Sequence, residues 1–529
     1  MKKLLLMLLV TFVSLPALAV DFDFTYEGQT LTYTILSDTD KTVATKAGTT
    51  SSAGNTVEGN LVLPAKVQFN GQEYTLTSIG YAAFYKCTGL TSVSIPSTVT
   101  SIGDGAFLNC TALTEVDIPD SVISLGEYVF AECIRLASVN VGTSVASVGK
   151  FGFFDCDNLK KVNISDVAAW CGISFVDMYA NPMFYAEHIY LDGNEIKDLV
   201  IPASVSSVGD YAFVYGIALT DIQFPETLSS IGYLSFGYCN NLTNVTLPAN
   251  LSSMGDFAFY ECANLRGINI PSSLTSIGAS VFANCRNLRS IEFPSSITSI
   301  GKQAFYSCTS LTSLEIPESV TTFGDSAFAY CSGLSSVQLP NTVTTLSDYL
   351  FNRCTGLTNI DLPESVTSIG YATFGYCSGL KSISLPSAVT SIGDGAFVYC
   401  TDLEDVDLPA ALTQIGAQAF ANCTSIVAIN CEAITPPLCG DKTFDKVDKD
   451  SCDIYVPAQA LDAYKATAPW NEFLNLIAGV DEIGSYKTGQ PVDIYNMQGV
   501  IVKRAATSSD IEALTPGLYI ISGKKILIP

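Results

Sequence analysis

A 23-residue repeat fills most of this 529-residue chain and limits what it can fold into more than any other feature. Its clearest marker is a phenylalanine three residues before a cysteine. The marker recurs at intervals of 23 in two blocks: Phe84, Phe107, Phe130 and Phe153, then Phe213, Phe236, Phe259, Phe282, Phe305, Phe328, Phe351, Phe374, Phe397 and Phe420. A fixed period of this length, with aliphatic residues at constant offsets, is typical of a solenoid. Each unit is too small to bury its own apolar side, so neighbouring coils must stack.

Each repeat predicts a coil made of a short strand, a turn and a short helix. In the stretch LTSVSIP, residues 90–96, apolar and polar positions alternate as in a strand, and the final proline ends it because proline lacks an N–H for a ladder. Ala106, Phe107 and Cys110 then lie at helical spacing, which predicts a short helix or a 3-10 turn that carries the phenylalanine inward. The predicted fold class is an α/β repeat solenoid of the leucine-rich-repeat type, with a parallel β-sheet.

Thirteen of the seventeen cysteines occupy one position of the repeat, three residues after the phenylalanine. Gly216 takes that position in the remaining copy. Stacked coils place neighbouring side chains about 4.8 Å apart, slightly beyond the usual disulfide range. We therefore interpret the series as a ladder of buried, reduced thiols. The cysteines off the ladder are Cys171, Cys431, Cys439 and Cys452, and the last two could form a disulfide.

Charge and the first residues indicate location and partners. The chain has 26 Lys and Arg against 51 Asp and Glu, a formal charge of −25, which disfavours nucleic acid and anionic membranes as partners. Residues 1–19 combine Lys2 and Lys3, an apolar run and a small-residue end, the pattern of a secretory signal peptide. No later stretch is apolar for the about 18 residues that a membrane span needs. We expect a secreted protein with no transmembrane segment, and the oligomeric state stays open.

Non-repetitive segments flank and interrupt the repeats. Residues 20–75 predict a β-rich N-terminal cap, because an open solenoid end exposes strand edges that must be covered. Residues 166–198 contain the only histidine, His188, and a hairpin across Asp192 and Gly193, in an irregular repeat or an insertion. The full predicted organisation is a signal peptide at 1–19, the cap at 20–75, repeats one to four at 76–165, the irregular segment at 166–198, repeats five to fourteen with a degenerate final repeat at 199–457, a capping helix at 458–478, and a linker with a small all-β C-terminal module at 479–529.

One polar residue in each predicted strand lies between two core aliphatics and faces away from the core. This row reads Ser94, Asp117, Asn140, Asn163, Gln223, Thr246, Asn269, Glu292, Glu315, Gln338, Asp361, Ser384, Asp407 and Asn430. Solvation alone explains a polar row, and the alternative is an acid-and-amide strip for a basic or hydroxyl-rich partner. The candidate partner-binding residues are Asp117, Asn140, Asn163, Gln223, Asn269, Glu292, Glu315, Gln338, Asp361 and Asp407.

A second row, two residues after each phenylalanine, is rich in tyrosine, which is favoured at interfaces but also packs between coils. Its tyrosines are Tyr215, Tyr238, Tyr330, Tyr376 and Tyr399. Catalytic patterns are missing by contrast. One histidine in 529 residues leaves no room for a histidine-based metal cluster, and no nucleophile elbow or phosphate-binding loop occurs. We expect no enzyme activity, no cofactor and no metal site.

The repeat pattern L-x-x-V-x-I-P-x-x-V-T-x-I-G-x-x-A-F-x-x-C, which residues 90–110 match throughout, resembles the BspA-like (Treponema pallidum type) leucine-rich-repeat family. The end of the chain, YNMQGVIV followed by LTPGLYIISGKKILI, resembles a short version of the C-terminal sorting modules of Bacteroidetes secretion. The resemblance implies a protein of the outer cell surface that acts as a binding or adhesion scaffold for macromolecules, such as matrix proteins, of host or neighbouring cells. The alternatives are a glycan-binding module for nutrient or envelope polysaccharide, and a spacer that binds nothing.

Overall fold

The structure is a computed structural model that describes residues 20–46, 57–478, 492–496, 501–506, 514, 517–521 and 524–528. The predicted signal peptide therefore lies outside the described residues. Contacts divide the chain into two compact units. The first unit contains the described residues up to Ile196 together with Val214–Ala218, and the second contains Lys197–Phe213 and the described residues from Leu219 onward.

Both units are leucine-rich-repeat solenoids, which confirms the predicted fold class. Most coils contribute one strand to a first parallel sheet, and the coils of Glu292 and Asp361 contribute single bridges. A residue pairs with its equivalent 23 positions along the chain, as Asn140 does with Asp117 and Asn163. In the first unit these strands are Gly59–Val62, Leu90–Ser94, Glu115–Ile118, Ser138–Val141, Lys161–Ile164 and Ile189–Leu191. In the second unit they are Asp198–Val200, Asp221–Gln223, Asn244–Val245, Gly267–Ile268, Ser313–Glu315, Ser336–Gln338, Ser382–Ser384, Asp405–Leu408, Ala428–Cys431, Asp453–Val456 and Asn475–Ala478.

A second, narrower parallel sheet follows the first in each coil. Its two-residue strands place a polar residue outward and an aliphatic residue inward, as Ser124 and Leu125 do. In the first unit they are Gln72–Ile79, Ser101–Ile102, Ser124–Leu125, Ser147–Val148 and Ser174–Phe175. In the second unit they are Ser207–Val208, Ser230–Ile231, Ser253–Met254, Ser276–Ile277, Ser299–Ile300, Thr322–Phe323, Thr345–Leu346, Ser368–Ile369, Ser391–Ile392, Gln414–Ile415 and Leu438–Cys439.

Of the two forms predicted for the end of each coil, a short helix or 3-10 turns, the structure has a series of turns. We call this stretch, from the glycine four residues before the phenylalanine to the residue before the cysteine, the turn segment. In the coil of Phe328, alternate N–H groups close single turns inside the coil, such as Ala327 N to Gly324 O at 3.2 Å. The others donate to the next coil, such as Phe328 N to Leu350 O at 3.1 Å. In an α-helix every N–H would donate along the helix axis. Here half of the N–H groups donate across to carbonyl groups of the next coil, which a helix would not allow.

Two residues of every turn segment have a left-handed backbone, two positions before and two positions after the phenylalanine. Most are not glycine; in the coil of Phe328 they are Ser326 and Tyr330, with φ of 59° and 62°. Such conformations cost about 1–3 kcal/mol each for a residue with a side chain. Both amides donate to the next coil, from Ser326 N to Asp348 O at 2.9 Å and from Tyr330 N to Asn352 O at 2.7 Å. The stack therefore stabilises a backbone that one coil alone would not adopt.

The predicted phenylalanine column forms inside each unit. In the first unit, the rings from Phe84 to Phe153 are buried and stack with centroids 5.2 to 5.4 Å apart. In the second, the series from Phe213 to Phe420 is also buried, and Phe444 of the degenerate repeat extends it at 5.7 Å. Full burial of a phenylalanine side chain contributes about 1.5–3 kcal/mol, so this column is a major source of stability.

The N-terminal part is rich in β-structure, as predicted, and continues directly into the coils. Its antiparallel strands are Asp21–Tyr26, Gln29–Ser37, Thr42–Thr45 and Lys66–Phe69. Gln72–Ile79 pairs with Ser101–Ile102 of the second sheet, and Gly59–Val62 pairs with Leu90–Ser94 of the first. Both sheet edges of the first coil are thereby covered, which removes the unpaired edge that an open solenoid would present.

The irregular segment replaces a coil with short helices and a hairpin. The helices are Val167–Cys171, the 3-10 turn Met178–Ala180, and Met183–Ala186. Asp166 caps the first of them by accepting Ala168 N at 2.7 Å. Ile189–Leu191 and Asn194–Glu195 then pair antiparallel across Gly193, whose φ is +81°, in agreement with the predicted hairpin.

The C-terminal end of the repeats is closed by a broken helix rather than a continuous one. The segment contains Ala458–Ala460 and Trp470–Glu472 as 3-10 turns on either side of the α-helix Leu461–Ala466. Tyr464 is buried as predicted, whereas Ala468 is exposed and lies outside the helix. Trp470 covers the end of the phenylalanine column, with its ring 5.3 Å from that of Phe444.

The C-terminal module is a four-stranded antiparallel sheet in its described residues. Its strands are Val492–Asn496, Ile501–Ala506, Gly517–Ile521 and Lys524–Ile528. The first two strands pair with each other, as do the last two. The sequence predicts hairpin turns at Gln498 and Gly499 and at Ser522 and Gly523, and these four residues lie outside the described residues.

Candidate binding faces

The strand face consists of the outward residues of the first sheet, and it contains all ten candidate partner-binding residues. Nine of them are exposed, and Asn163 is half-buried. The structure stacks neighbours of the row in register. Some members use their side-chain hydrogen-bonding groups within the protein, and others leave them open to a partner.

In the first unit the candidates bond to one another. The side-chain amide of Asn140 donates to a carboxylate oxygen of Asp117, and Asn163 Nδ2 donates to Asn140 Oδ1 at 2.5 Å. Each bond follows from the 23-residue register, which stacks the three side chains directly above one another. Part of their hydrogen-bonding capacity is therefore used within the protein.

In the second unit, Asn269 bonds to the backbone of the preceding coil. Its Nδ2 donates to Leu247 O at 3.0 Å, and its Oδ1 accepts from Leu247 N at 2.7 Å. This pair of bonds replaces a ladder contact where the strand shortens. Asn269 is thus a structural residue more than a recognition residue, although its side chain is solvent-accessible.

Asp407 is constrained in a different way. Loss of hydration raises the pKa of its carboxyl although the side chain keeps an exposed part, and a hydrogen bond from Asn430 lowers it again. Nearby Asp405 raises it further by charge repulsion. The two neighbouring carboxyl groups at this end of the row would repel an acidic group of a partner and attract a cationic one.

Four consecutive coils of the second unit carry the freest candidates, Glu292, Glu315, Gln338 and Asp361. We call these four residues the strand strip. All are exposed, and none forms a side-chain hydrogen bond or ion pair with another described residue. Backbone pairing joins Glu315 to Gln338, and Gln338 to Asp361. The strip therefore presents carboxylate and amide oxygens to solvent at the spacing of the coils. Gln223 is exposed as well but stands apart from these four.

The turn segments form a second surface, the turn face, and it carries most of the exposed tyrosine. Nine tyrosines are exposed among the described residues, and only Tyr26 lies elsewhere. The other eight are Tyr81, Tyr85, Tyr128, Tyr233, Tyr330, Tyr349, Tyr371 and Tyr399. Of the tyrosine row predicted from sequence, Tyr330 and Tyr399 are exposed, whereas Tyr215, Tyr238 and Tyr376 are half-buried. Packing between coils therefore accounts for the half-buried members, and an interface role stays a prediction for the exposed ones.

Several of these rings form pairs that the sequence alone did not reveal. Tyr349 and Tyr371 lie edge to face at 4.9 Å, and Tyr376 and Tyr399 stack at 4.9 Å. Arg353 lies between two members of the predicted row, with its guanidinium 5.3 Å from the ring of Tyr330 and 4.3 Å from that of Tyr376. Reading the row as Tyr-Arg-Tyr-Tyr at 23-residue steps would have identified this arrangement.

Acidic residues on the turn face have mainly structural partners. The aspartate three residues before the phenylalanine accepts the backbone N–H one coil later, as Asp348 Oδ1 does from Tyr371 N at 2.7 Å. Asp104 and Asp394 make the equivalent bond. These carboxylates hold successive coils together, which distinguishes them from the free acids of the strand strip.

The ladder thiols are shielded from reagents in the folded state. All seventeen cysteines are unpaired, so Cys439 and Cys452 form no disulfide here, and the thirteen ladder thiols are buried as predicted. Cys331 Sγ donates to Phe305 O of the preceding coil at 3.2 Å, and eleven further ladder thiols make the same bond. Burial raises the pKa of the Cys331 thiol to about 12. The ladder is therefore a structural donor series.

Other potentially reactive groups are also engaged. His188 Nδ1 contacts Glu195 Oε1 at 2.5 Å inside the hairpin of the irregular segment. Within the described parts of the chain, no cluster of three His, Cys, Asp or Glu side chains has the geometry to hold a metal ion. No helix found there combines the length and the apolar character that crossing a membrane requires.

Comparison with known proteins identifies relatives of the repeat region. A family model described as BspA type leucine rich repeat region (6 copies) matches residues 68–176, 187–312 and 298–427, well over half of the chain. No curated protein sequence matches it. A leucine-rich repeat protein from Bacteroides ovatus is similar in structure, with 30% identity, a TM-score of 0.54, and coverage of 77% of this chain and 94% of the other.

Two further solved structures are similar at lower scores. A leucine rich cell surface protein from Faecalibacterium prausnitzii has 25% identity and a TM-score of 0.40, with coverage of 77% of this chain and 94% of that chain. The pneumococcal vaccine antigen PcpA has 17% identity and a TM-score of 0.41, with coverage of 71% and 94%.

Proposed function

The chain belongs to the BspA-type leucine-rich-repeat family, and from this premise we propose that it is an exported, non-enzymatic binding scaffold. It acts at the outer cell surface as an adhesion protein and attaches to macromolecules, such as matrix proteins, of host or neighbouring cells. Export rests on the signal-peptide pattern of residues 1–19, which lie outside the described residues.

The strand strip is the observation that carries the binding role. Glu292, Glu315, Gln338 and Asp361 expose acceptor oxygens that no described side chain satisfies. Their backbone pairs with neighbouring coils, through strands at Glu315 and Gln338 and through single bridges at Glu292 and Asp361, which lowers the entropic cost of association. A partner with regularly spaced donors could then bind several coils at once.

The charge of the strip indicates the chemistry of that partner. Three of its four members are acids, and the whole chain has a formal charge of −25. Long-range attraction and local pairing both favour a surface rich in Lys, Arg or hydroxyl groups. The ladder thiols do not favour catalysis, since they are buried and burial raises the pKa of Cys331 to about 12.

The test compares two variants with the unaltered protein on a panel of purified, immobilised extracellular-matrix proteins. One variant lacks the three whole coils that carry Glu292, Glu315 and Gln338. The other replaces all four strip residues with serine and keeps every coil. We expect both variants to lose binding to the matrix protein that the unaltered protein captures. Salt should weaken the binding of the unaltered protein.

A matched control replaces Ser336, Ser313 and Ser382, also exposed on the first-sheet strands, with alanine and should bind normally. Unchanged binding by both the deletion and the serine variant would overturn the proposal. Loss in the deletion alone would place the contact elsewhere on those coils and would overturn the role of the strip.

A further inference from the structure

Arg353 and the tyrosines around it form a second site that the strand face does not involve. We propose that this group on the turn face of the second unit binds a sugar that carries a single carboxylate. The guanidinium lies over the rings of Tyr330 and Tyr376 at 5.3 and 4.3 Å. Tyr306 extends the group beyond Tyr330 at 4.9 Å, and Tyr399 extends it beyond Tyr376 at 4.9 Å.

The guanidinium is exposed and unpaired. No carboxylate lies within ion-pair distance of Arg353 in the described parts of the chain, and no described acceptor takes a hydrogen bond from its side chain. Two tyrosine rings lie within 5.3 Å of its carbon Cζ, and its five N–H groups have no acceptor among the described residues. A planar fork held in this way matches the two oxygens of a carboxylate.

The local charge differs from that of the rest of the protein. Positions two residues after the phenylalanine, over seven consecutive coils, contain no acid. They are Asn284, Ser307, Tyr330, Arg353, Tyr376, Tyr399 and Asn422. Arg353 is the only charged residue among them, in a chain with 51 acidic residues. An anionic group can therefore approach this row without meeting a carboxylate at the same position of a neighbouring coil.

The site is rigid before any ligand arrives. Tyr330, Arg353, Tyr376 and Tyr399 all have left-handed backbone, with φ of 60° to 62°. Each amide donates to the next coil, for example Arg353 N to Gly375 O at 2.8 Å and Tyr376 N to Val398 O at 2.6 Å. The side chains consequently leave the coils in one direction and at one spacing, which reduces the ordering that binding requires.

Two features favour a sugar over an acidic peptide or a polyanion. A formal charge of −25 repels a ligand with many negative charges, whereas one carboxylate contributes little to that repulsion. Tyr330 and Tyr399 are 39% and 42% exposed, so they offer both ring surface to the C–H groups of a sugar and a hydroxyl to its hydroxyl groups. This inference rests on saccharide binding, the alternative that the sequence left open, and not on adhesion through the strand strip.

The experiment measures the binding of methyl glucuronide and of methyl glucoside to the full mature chain, by saturation-transfer NMR and by competition. These probes differ only in a carboxylate against a CH2OH group. We expect binding of the glucuronide and little of the glucoside, and a loss of about tenfold or more in Arg353→Gln. Arg353→Lys should lose nearly as much, because lysine keeps the charge without the planar fork.

Two controls separate this site from others. Lys302→Gln removes an exposed charge from the turn segment of another coil and should leave binding unchanged. The serine variant of the strand strip should also bind the glucuronide normally, so failure of the strip and failure of this site are distinguishable. Unfolding midpoints show that each variant is folded, as expected for exposed positions.

Equal binding of both probes, or unchanged binding by Arg353→Gln, would overturn the proposal. Acetate tests the carboxylate alone and tetraglutamate tests an acidic peptide. If either competes as well as the glucuronide, the sugar is not what the site recognises, and that part of the proposal is wrong. Competition by the glucuronide alone, lost in Arg353→Gln, supports it.

Discussion

The strand face and the turn face are built from the same 23-residue unit, yet they differ in almost every property that matters for recognition. The strand face has regular extended backbone, short polar side chains and few aromatic groups. The turn face has left-handed residues in every coil and eight of the nine exposed tyrosines found among the described residues. One face displays acceptor oxygens, and the other displays rings and an unpaired guanidinium.

The difference shows where each face gets its rigidity. On the strand face, backbone pairing between coils fixes most outward positions, so they are free to vary, and Asn269 is an exception because its side chain bonds the preceding coil. On the turn face, the backbone depends on bonds to the next coil and on buried groups beneath it, such as Phe328 and Cys331. Substitutions in the turn segment should therefore affect stability more than equivalent changes in the strand, and four measurements test this.

The largest expected effect comes from removing the ring under the turn face. Phe328 is fully buried between Phe305 and Phe351, with centroids 5.5 and 5.8 Å away. We expect Phe328→Ala to lower the free energy of unfolding by about 3–5 kcal/mol, because the cavity cannot collapse between fixed coils. Urea denaturation followed by circular dichroism gives the value. Val337→Ala, under the strand face of the next coil, should cost about 1–2 kcal/mol, and an equal cost at both sites would contradict the comparison.

A second pair of variants tests the close approach of coils at the turn segment. A methyl group on Gly324 would lie 2.2 Å from Lys302 N, so the backbone of one coil would have to shift. We expect Gly324→Ala to destabilise by about 1–3 kcal/mol. The control is Gly267→Ala on the strand face, where nothing lies within 4 Å of the added methyl. It should be neutral or stabilise by up to about 1 kcal/mol. Thermal unfolding of the two variants side by side separates these outcomes.

The thiols should make stability fall at high pH. Burial raises the pKa of Cys331 from 9.0 to about 12, so the folded state keeps a proton that the unfolded state loses. Its contribution is complete below pH 9 and is lost as pH rises from 9 towards 12, by about 1 kcal/mol between pH 9 and 10. Cys331→Ala should therefore show a shallower pH dependence in urea midpoints measured at pH 8, 9 and 10. It should also be less stable at pH 8 by about 1 kcal/mol, since Phe305 O loses its donor.

Parallel curves for the variant and the unaltered protein would show that the thiol is not shielded. Alkylation gives an independent check. Iodoacetamide at pH 8 should leave the ladder thiols unmodified in the native protein and modify them only after urea is added.

The smallest expected change in stability comes from removing single acidic side chains, one from each face. Asp348 on the turn face accepts Tyr371 N, whereas Asp361 in the strand strip has no described partner for its side chain. We expect Asp348→Ala to cost about 0.5–1.5 kcal/mol, the value of one hydrogen bond. Asp361→Ala should change stability by less than about 0.5 kcal/mol. Chemical denaturation of both at low and high salt provides the measurement, and a larger loss at Asp361 would reverse the assignment of roles.

Sequence reasoning predicted what depends on periodicity. The phenylalanine column, the thiol ladder, the exposed row and the strands follow from spacing alone, because identical units stacked at one register must place identical residues together. The turn segment was predicted as a short helix or a 3-10 turn because Ala106, Phe107 and Cys110 have helical spacing, and the structure has turns. Nothing local in the sequence reveals left-handed backbone at Tyr330 or Arg353, since the bonds that stabilise it come from the next coil.

The two candidate sites show the same limit. Exposure of the strand row was predictable from alternation, but the backbone bonds of Asn269 depend on the geometry of the preceding coil. The tyrosine row was also visible in the sequence. Arg353 stands in that row at the same spacing, so its place between Tyr330 and Tyr376 was predictable too, whereas the distances between the cation and the rings required the structure.

Each repeat coil of the second unit makes the same type of hydrogen bonds to the coil after it as the coil before makes to it. Phe328 N donates forward to Leu350 O, and Cys331 Sγ donates back to Phe305 O, as its equivalents do in neighbouring copies. Gain or loss of one complete copy by recombination would thus restore a native junction at the splice, whereas any other length change would misalign donors and acceptors. The number of binding positions on either face can change in evolution by whole copies while the chemistry of each position stays the same.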